Sequence, residues 1–509
     1  MLKKPTSNTN RLDCIVVGAG PTGLGAALEL RKKHHRFCVF EATSDAGGLA
    51  MTVQSEAGFC WELGGHVTYS HFLEFDCVFD VYIKNKYQKV ERESWISCCG
   101  KWIPYPFQGN LRYLPSDEAV ACVSGMELAQ AAASEEFGSL SSAVTEARSF
   151  QDIIDRVFGA GIARVFMEPY NRKVWATDPA EMAASWLGER VALVDARKAR
   201  QNYETGVDDF GWGPNNTFRF PHRGTGALYE AIADDLKEAI RFCSRLVSVD
   251  PQGRLATFDT PNGSCKVAYD SLISTVPLDH LIGSILTEVP PSIRAAANEL
   301  RYASGDFVGV GIAKPCPTTR SWTYFPDPSV PFYRVTYLSN YSPFFTPPGH
   351  YSLLCEISSP PGTILDPEDL KDRTLRGLES VGMLGTSGTG SRRDIVEVWH
   401  QRVERSYPVP TVGRDEALAV IIPWLEERGI YSRGRFGLWK YEVANTDHSV
   451  MQGVEAVRRI VDGTPETVTG IRYDDGVSHV RPAVAGSGEK RLAGRPLNAP
   501  SRGSDAAPR

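Results

Sequence analysis

The segment from Leu12 to Glu41 constrains the fold more than any other part of the 509-residue sequence. The apolar run LDCIVV is followed by Gly18-x-Gly20-x-x-Gly23, by the stretch LGAALELRKK and by a second apolar run that Glu41 closes. The first glycine permits a tight turn, the second lets the backbone approach a pyrophosphate, and the third lets a helix pack on a strand. The helix N-terminus favours phosphate, and Glu41 can accept from ribose hydroxyls. The pattern predicts a βαβ unit that binds a dinucleotide.

A second glycine pair favours FAD over NAD as that dinucleotide. Gly47-Gly48 lies just after the ribose-binding acid, as in many flavoproteins with two dinucleotide-binding domains. The runs SRLVSVD (244–250) and DSLISTVP (270–277) fit the strands expected in such proteins. In that arrangement the backbone near Val247 would contact the adenine.

Bulk properties exclude several classes of protein. The net charge of −6 gives no reason to expect nucleic acid or an anionic membrane as the main partner. No apolar run reaches the ~18 residues that a membrane span needs, and the polar N-terminus does not resemble a signal peptide. The 11 cysteines are odd in number and irregularly spaced, as expected for reduced thiols in a cytoplasmic protein. No metal-ligand cluster is evident, so we expect no metal.

The order of strand-like and helical runs predicts an α/β fold with two further units inserted in the chain. Residues 110–205 read as mainly helical, and short apolar and aromatic runs from 305 to 360 suggest an antiparallel sheet. The expected units are a Rossmann-like FAD-binding domain (1–95, 214–290 and 425–475), a helical domain with a mobile flap (110–205), an antiparallel β-sheet domain for the substrate (96–109 and 291–424) and a disordered tail (476–509).

Several long motifs resemble UDP-galactopyranose mutase, specifically its eukaryotic, fungal-type form. They are GGHVTYSHF, WIPYPFQGN, FMEPYNRKVWA, WLGERVA, WGPNNTFRFPHRGTG, PFYRVTYLSNYSP and SRGRFGLWKYEVANTDHSVMQGVEAV. The resemblance runs from about residue 12 to about residue 463. It separates the chain from amine oxidases and desaturases that share the N-terminal pattern.

The resemblance implies interconversion of UDP-galactopyranose and UDP-galactofuranose, a ring contraction without net redox change that nevertheless needs reduced FAD. It implies that N5 of the reduced flavin attacks the anomeric carbon while UDP departs, and that the sugar then opens through a flavin iminium and recloses as the five-membered ring. It further implies NADPH as the reductant, a role in galactofuranose biosynthesis for the cell wall, and a homo-oligomer, with a tetramer as one form.

Five residues match catalytic positions of that family. Arg334 and Arg435 match arginines that contact the diphosphate and the sugar, and a guanidinium suits this role because it is always charged and binds phosphate oxygens in pairs. His66 matches a histidine that lies against the flavin. Arg190, expected on the flap, and Asn215 match residues that meet the galactose.

The resemblance also implies contacts to the base, the phosphates and the cofactor. Tyr105 and Phe107 are expected to sandwich the uracil, with Gln108 at its edge. The other expected substrate contacts are Phe166, Met167, Trp322, Tyr324, Tyr407 and Tyr441. The expected FAD contacts are Gly18, Gly20, Thr22, Gly23, Glu41, Gly48, Leu49, Gly64, Gly65, His66, Val247, Asn445, Thr446 and Ser449.

The chain departs from the family pattern beside the expected flavin site. Ala444 replaces a glycine, Thr446 a glutamine and Tyr69 a phenylalanine. Two other hypotheses therefore stay open. A flavin amine oxidase or desaturase-like oxidoreductase would have an apolar tunnel or aromatic cage instead of arginines. A non-catalytic nucleotide-sugar binder would keep the fold and bind UDP but would have lost turnover.

Overall fold

The computed structural model describes residues 11–210, 216–386, 388–474 and 477–480. In chain order, its helices are α1 (Pro21–Lys32), α2 (Leu73–Ile83), α3 (Ser116–Phe137), α4 (Leu140–Thr145), α5 (Phe150–Ile153), α6 (Gly159–Ile162), α7 (Glu168–Trp175), α8 (Ala196–Thr205), α9 (Gly226–Asp235), α10 (Leu278–Gly283), α11 (Pro291–Asn298), α12 (Pro367–Ser380), α13 (Arg414–Glu426) and α14 (Thr446–Asp462).

The strands are β1 (Arg11–Val17), β2 (Phe37–Phe40), β3 (Thr52–Gln54), β4 (Cys60–Glu62), β5 (Tyr87–Glu91), β6 (Ser94–Cys98), β7 (Lys101–Pro104), β8 (Thr217–Pro221), β9 (Ile240–Arg241), β10 (Arg245–Asp250), β11 (Leu255–Thr260), β12 (Gly263–Ser274), β13 (Tyr302–Ile312), β14 (Trp322–Tyr324), β15 (Arg334–Thr336), β16 (Tyr351–Ser359), β17 (Ile395–Pro408), β18 (Ile430–Ser432), β19 (Ile471–Asp474) and β20 (Val477–Val480). No helix in the described part of the chain combines the length and apolar character that a membrane crossing requires.

The first sheet contains the βαβ unit that the glycine pattern predicts. Its seven strands follow the order β10-β11-β12-β1-β2-β9, with β18 beside β12. β1 pairs in parallel with both β12 and β2, and α1 connects β1 to β2. The carboxyl ends of these parallel strands therefore share one edge, where Gly18, Glu41 and Thr275 follow directly. This is the edge at which ligands bind to open α/β sheets.

Helices α1 and α14 pack with their backbones in close contact. A Cβ on Gly25 would lie 2.3 Å from the carbonyl oxygen of Val450, and a Cβ on Gly453 would lie 2.0 Å from that of Thr22. Backbone atoms cannot give way as a flexible side chain can, so glycine is needed at both positions. The contact fixes α14 against the βαβ unit.

The second sheet is antiparallel except for one pair. Its strands follow the order β17-β13-β16-β15-β14-β6-β7, and only β14 and β6 pair in parallel. Arg334 of β15 lies opposite Tyr324 of β14 on one side and Glu356 of β16 on the other. Residues directly opposite each other share a face of the sheet, so this register places the three side chains in one row.

The helical unit between the two sheets contains α3 to α8. Ser149 caps α5 in a capping box with Asp152. Two π-helical turns, Ile154–Phe158 and Ala163–Met167, interrupt the run that leads into α7. Such turns are frequent at functional sites, and the second contains Phe166 and Met167.

The predicted fold class is confirmed, and two details of the expected organisation differ. α11 and most of α13 fall within 291–424, which the sequence assigns to the sheet domain. Their apolar faces instead pack in the core of the first sheet, where Ile293 and Leu418 lie with Leu272. The cause is amphipathicity, since both helices need an apolar surface to cover.

The longest strand, β17, is absent from the sequence prediction. It is a half-exposed edge strand of 14 residues, and its charged side chains mask the period of two. In the predicted disordered tail, Val477–Val480 forms β20 and pairs with β19, and the rest of 476–509 lies outside the described residues.

Candidate active site

A cavity of about 560 Å³ is lined by residues of both sheets and of the helical unit. Most predicted site residues meet around it. The lining includes the predicted cofactor residues Gly18, Gly20, Thr22, Glu41, Gly48, Leu49, Gly64, Gly65, His66, Asn445, Thr446 and Ser449. It also includes the predicted substrate and catalytic residues Tyr105, Gln108, Phe166, Met167, Arg190, Trp322, Tyr324, Arg334, Tyr407, Arg435 and Tyr441.

Three predicted residues do not line the cavity, and a fourth, Asn215, lies outside the described residues. Gly23 lies behind the turn, where a Cβ would be 1.9 Å from the carbonyl oxygen of Gly18. Val247 is in β10 with a 53% exposed side chain. A contact between its backbone and an adenine stays a prediction.

Phe107 does not line the cavity, and its part in a uracil sandwich stays a prediction. Its ring is fully buried and stacks on Phe166, with ring centroids 4.5 Å apart and an interplanar angle of 19°. Phe166 in turn stacks on Tyr170 at 5.3 Å. Phe107 therefore supports the cavity wall from behind, because the π-helical turn inserts Phe166 between it and the cavity.

The end of the cavity formed by the first sheet is made chiefly of backbone. Gly18 has a φ of +103°, and a Cβ there would lie 2.0 Å from Oγ1 of Thr275. A Cβ on Gly20 would make only ordinary van der Waals contacts, the nearest with the carbonyl oxygen of Gly47 at 3.9 Å. No side chain caps the N-terminus of α1, so its first amide groups are available to an anion. Glu41 is held by the Ala19 amide, which donates to its Oε2 at 2.7 Å.

The N-terminus of α14 also opens into the cavity. Asn445 occupies the cap position without a side-chain capping bond, and Thr446 and Ser449 line the cavity beside it. The buried hydroxyl of Thr446 has no hydrogen-bond partner among the described residues. Two helix N-termini, a glycine turn and an orphaned hydroxyl fit a flavin dinucleotide, with phosphate at α1 and polar ring atoms at α14.

His66 also lines the cavity, together with the residues at the N-termini of α1 and α14. Its Nδ1 is 3.5 Å from Oε2 of Glu62, a carboxylate that is fully buried. Glu62 also accepts from the amide of Thr225 at 2.6 Å. The side chain of His66 is 27% exposed and lines the cavity, so one face of the imidazole is available to a ligand.

Arg334 belongs to a buried network at the other end. Its Nε and a terminal nitrogen donate to the two oxygens of Glu356 at 2.5 and 2.7 Å. Burial opposes the charge, but the Glu356 carboxylate outweighs it and holds the pKa of Arg334 well above its ordinary value. Tyr333 donates to Glu356 at 3.0 Å and lies 3.2 Å from the hydroxyl of Tyr407. The amide of Gly65 also donates to Glu356, at 3.2 Å, which ties the network to the flavin-side loop.

Arg435 differs from Arg334 because none of the described carboxylates lies within ion-pair distance of it. It donates to the carbonyl oxygen of Ser406 at 3.2 and 3.1 Å and lies over the rings of Tyr407 and Tyr441. Burial lowers the pKa of Arg435, which shows that its charge is poorly compensated. A desolvated cation of this kind favours an anionic ligand.

Arg190 closes the cavity on the side of the helical unit. Its guanidinium donates to Oδ1 of Asn445 at 2.7 Å and to the carbonyl oxygen of Glu442 at 3.1 Å. It also lies 5.1 Å from the ring centroid of Tyr441. Arg190 thus reaches from residues 176–195 to the segment that joins both ends of the cavity.

Tyr105 and Gln108 form part of the cavity wall. The ring of Tyr105 lies 5.6 Å from that of Tyr324, and burial raises the pKa of Tyr105 above its ordinary value. Gln108 donates to the carbonyl oxygen of Ala192 at 2.5 Å. Its carboxamide therefore contacts the segment that carries Arg190 while it lines the cavity.

Several residues of the site were missed at the level of sequence. Glu356 and Tyr333 looked like ordinary members of apolar strands, and only the sheet register reveals their contact with Arg334. Trp186 lines the cavity and contacts Tyr441 edge to face at 6.0 Å. Arg92, directly after β5, also lines the cavity.

A cluster of potential metal ligands lies near the cavity. His71, Asp447 and His448 each place one ligand atom within 4.8 Å of the others. Nδ1 of His71 lies 2.7 Å from Oδ2 of the fully buried Asp447. This hydrogen bond ties the loop after β4 to the N-terminus of α14, and the expectation that the chain binds no metal stays a prediction.

Comparisons with known proteins agree with this geometry. The sequence profile described as flavin containing amine oxidoreductase matches residues 21–461. Chloroplastic protoporphyrinogen oxidase 1 of Arabidopsis thaliana is 24% identical over 329 residues, 59% of this chain and 59% of that protein. The flavin-containing amine oxidase of Oncorhynchus mykiss is 24% identical over 299 residues, 55% of this chain and 53% of that protein. The chain thus spans less than two thirds of each of these curated relatives.

A solved structure is more similar. The crystal structure of reduced UDP-galactopyranose mutase superimposes with a TM-score of 0.83 and 38% sequence identity, covering 90% of this chain and 95% of that chain. The profile match extends over most of the sequence, from the start of α1 through the helical unit to residue 461 in α14. The chain belongs to the flavin-containing amine oxidoreductase family.

Proposed function

We propose that this protein is a UDP-galactopyranose mutase of the eukaryotic, fungal type, which interconverts UDP-galactopyranose and UDP-galactofuranose. The observation that carries the proposal is Arg435, a poorly compensated cation in the same cavity as the flavin-side helix termini. A diphosphate supplies the charge that this end lacks. The similarity to reduced UDP-galactopyranose mutase supports the same reading.

The chemistry that reduced FAD supplies when bound is a nucleophile at N5 for the anomeric carbon. Gly18, Gly20 and the α1 N-terminus would hold its pyrophosphate, and Glu41 its ribose. Asn445 and Thr446 would hold the flavin end. The protein itself contributes position and charge.

Arg334 and Arg435 would bind the diphosphate and stabilise UDP as it leaves. Arg334 is already oriented by Glu356, so little side-chain entropy is lost on binding. Burial raises the pKa of Tyr407 above its ordinary value, so its hydroxyl stays protonated and donates to phosphate at neutral pH. Neutral donors bind phosphate without adding a further charge that would slow release.

Residues 176–195 would close the cavity over the sugar. Arg190 and Trp322 would contact the galactose, and closure would exclude water that could hydrolyse a reactive sugar. Gln108 contacts the same segment through Ala192, so uracil recognition and closure would be linked. NADPH as the reductant, a cytoplasmic location and a homo-oligomer belong to this proposal.

The family match favours one alternative, an amine oxidase. Charge argues against it. Arg92, Arg190, Arg334, Arg405 and Arg435 line the cavity, whereas Glu41 is the only carboxylate among the described lining residues. A protonated amine would be repelled by this surface, and a nucleoside diphosphate would be attracted.

The test uses full-length, FAD-loaded protein reduced with dithionite. It is incubated with UDP-galactofuranose, and nucleotide sugars are separated by chromatography. We expect conversion to UDP-galactopyranose. No conversion by protein that holds reduced FAD would overturn the proposal, and oxygen consumption with amines would identify an oxidase instead.

A further inference from the structure

A buried charge cluster of Arg414, Asp415 and Glu442 lies behind the wall of the cavity. Arg414 is fully buried and donates to both carboxylate oxygens of Glu442, at 2.9 and 2.8 Å. The same guanidinium donates to Oδ1 of Asp415 at 3.0 and 2.8 Å. None of the three residues lines the cavity, so any effect on a ligand passes through other groups.

Both ends of residues 185–190 are attached to this cluster or to its backbone. At the first end, Ser185 donates to Oδ2 of Asp415 at 3.0 Å and lies 3.5 Å from Arg414. At the second end, Arg190 donates to the carbonyl oxygen of Glu442 at 3.1 Å. The cluster therefore holds the segment that carries Arg190 at two points.

The position of Glu442 explains why its orientation matters. It lies in the short helical turn Tyr441–Val443, directly after a tyrosine whose ring faces Arg190 and Arg435. Arg414 holds the side-chain carboxylate of Glu442 from inside the protein. This contact fixes the direction of the Glu442 backbone carbonyl, which accepts a hydrogen bond from Arg190. Buried ion pairs contribute little net stability compared with apolar packing, whereas they do define geometry in some proteins.

We propose that Glu442, clamped by Arg414, is a positioning residue that holds residues 185–190 closed over the anion end of the cavity. The identity of the ligand, a nucleoside diphosphate sugar, rests on the proposed function. The attachment of residues 185–190 to Arg414, Asp415 and Glu442, which we call the latch, rests on the contacts above. Loss of the clamp frees the Glu442 carbonyl to turn, and Arg190 then loses one of its two anchors.

The first experiment compares E442Q with a matched control, E466Q, in FAD-loaded protein without ligand. Glu466 is also fully buried and pairs with the buried Arg433, away from residues 185–190. Hydrogen exchange of peptides covering 185–195 is measured by mass spectrometry. We expect exchange in E442Q to rise about fivefold or more there and to stay unchanged in E466Q. An equal response of both variants would overturn the proposal.

The second experiment is a double-mutant cycle between E442Q and R190A, measured on UDP affinity and on kcat/KM. If Glu442 acts through Arg190, E442Q should lower UDP affinity and kcat/KM about tenfold in protein that retains Arg190. In the R190A background the same change should lower them less than about twofold. We expect KM to rise more than kcat falls. Additive losses in both backgrounds would show a merely structural role.

Two further outcomes keep the test decisive. A protein that binds UDP without turnover would refute the proposed function, while the cycle on UDP affinity would still decide the latch. Should E442Q fail to fold, S185A removes the hydroxyl at the other attachment and leaves the buried pair intact. Exchange at 185–195 should then rise about threefold, and unchanged exchange would contradict the latch.

Discussion

The two ends of the cavity are built from different parts of the chain. At the end formed by the first sheet, the groups that face the cavity are backbone amides at the N-terminus of α1, a glycine turn and one carboxylate, Glu41. At the other end they are side chains, with Arg334 and Arg435 among tyrosines from the second sheet, from the helical unit and from the turn before α14. The first end would hold a cofactor and the second a substrate.

This difference determines what a mutation does at each end. A backbone site depends on the absence of side chains, so adding one atom at Gly18 should destroy it. A side-chain site depends on charge and orientation, so removing a group should weaken it in proportion to that group's role. The predictions below separate these two kinds of failure, from the largest expected effect to the smallest.

G18A should give the largest effect, because it should abolish FAD binding and with it all turnover. The new Cβ would lie 2.0 Å from Oγ1 of Thr275, at a φ of +103° that alanine rarely adopts. Flavin absorbance of the purified protein measures occupancy. G100A is the matched control, since Gly100 has a φ of +69° with nothing within 4 Å of its Cβ. Normal FAD content in G18A would refute the assignment of this end.

R435A should leave FAD content unchanged and lower kcat/KM by about 10³-fold, since it removes a charge that stabilises the leaving UDP. The measurement is a substrate titration of the reduced enzyme at matched flavin absorbance. R435K keeps the charge but loses the planar fork, and should fall between wild type and R435A. Equal activity of R435A and wild type would exclude a role of Arg435 at the diphosphate.

E356Q should remove the charge that compensates Arg334 while it keeps the shape of the side chain. The change leaves Arg334 without its buried carboxylate, and loss of one member of such a pair destabilises a protein by about 3 kcal/mol. Turnover should fall about 30-fold because a glutamine replaces one of the two acceptor oxygens shared by Arg334 and Tyr333 with a donor, while FAD content stays unchanged. Thermal unfolding and steady-state kinetics provide the two readouts. Unaltered stability together with unaltered turnover would contradict the network.

The smallest effect concerns pH. Burial raises the pKa of Tyr407, so its phenol should remain a donor up to and beyond the ordinary value of about 10. UDP affinity, measured by calorimetry, should therefore change less than about twofold between about pH 7 and about pH 9.5. Y407F should bind more weakly by a constant factor over that window. A loss of wild-type affinity centred at or below about pH 10, the ordinary tyrosine value, would contradict a raised pKa of Tyr407.

The same difference explains what could be predicted from the sequence. The cofactor end follows from a local pattern, because Gly18, Gly20 and Glu41 are fixed by one βαβ unit. The cofactor contacts at the N-terminus of α14 could be predicted only from the resemblance to the mutase family, since Asn445 is more than four hundred residues from Gly18. Only the fold shows that Gly25 and Gly453 let the two helices meet.

The anion end could be predicted only in part. Motif resemblance supplied Arg334 and Arg435. Nothing local in the sequence indicated that Glu356 compensates the charge of Arg334, or that none of the described carboxylates compensates the charge of Arg435. That distinction comes from the register of β15 and β16. The stacking of Phe107 on Phe166 was not predictable for a similar reason, since Phe166 lies in a π-helical turn. Long-range register and helix irregularities leave no short-range sequence signal.

The central claim is that both ends act in one reaction without net redox change, and the most direct measurement is turnover per reducing equivalent. FAD-loaded protein is reduced once, anaerobically, by one equivalent of dithionite and given excess UDP-galactofuranose. The account predicts many UDP-galactopyranose molecules per flavin with the flavin still reduced at the end, and no conversion by oxidised protein. Conversion that stops at one product per flavin, or that proceeds equally with oxidised flavin, would contradict it.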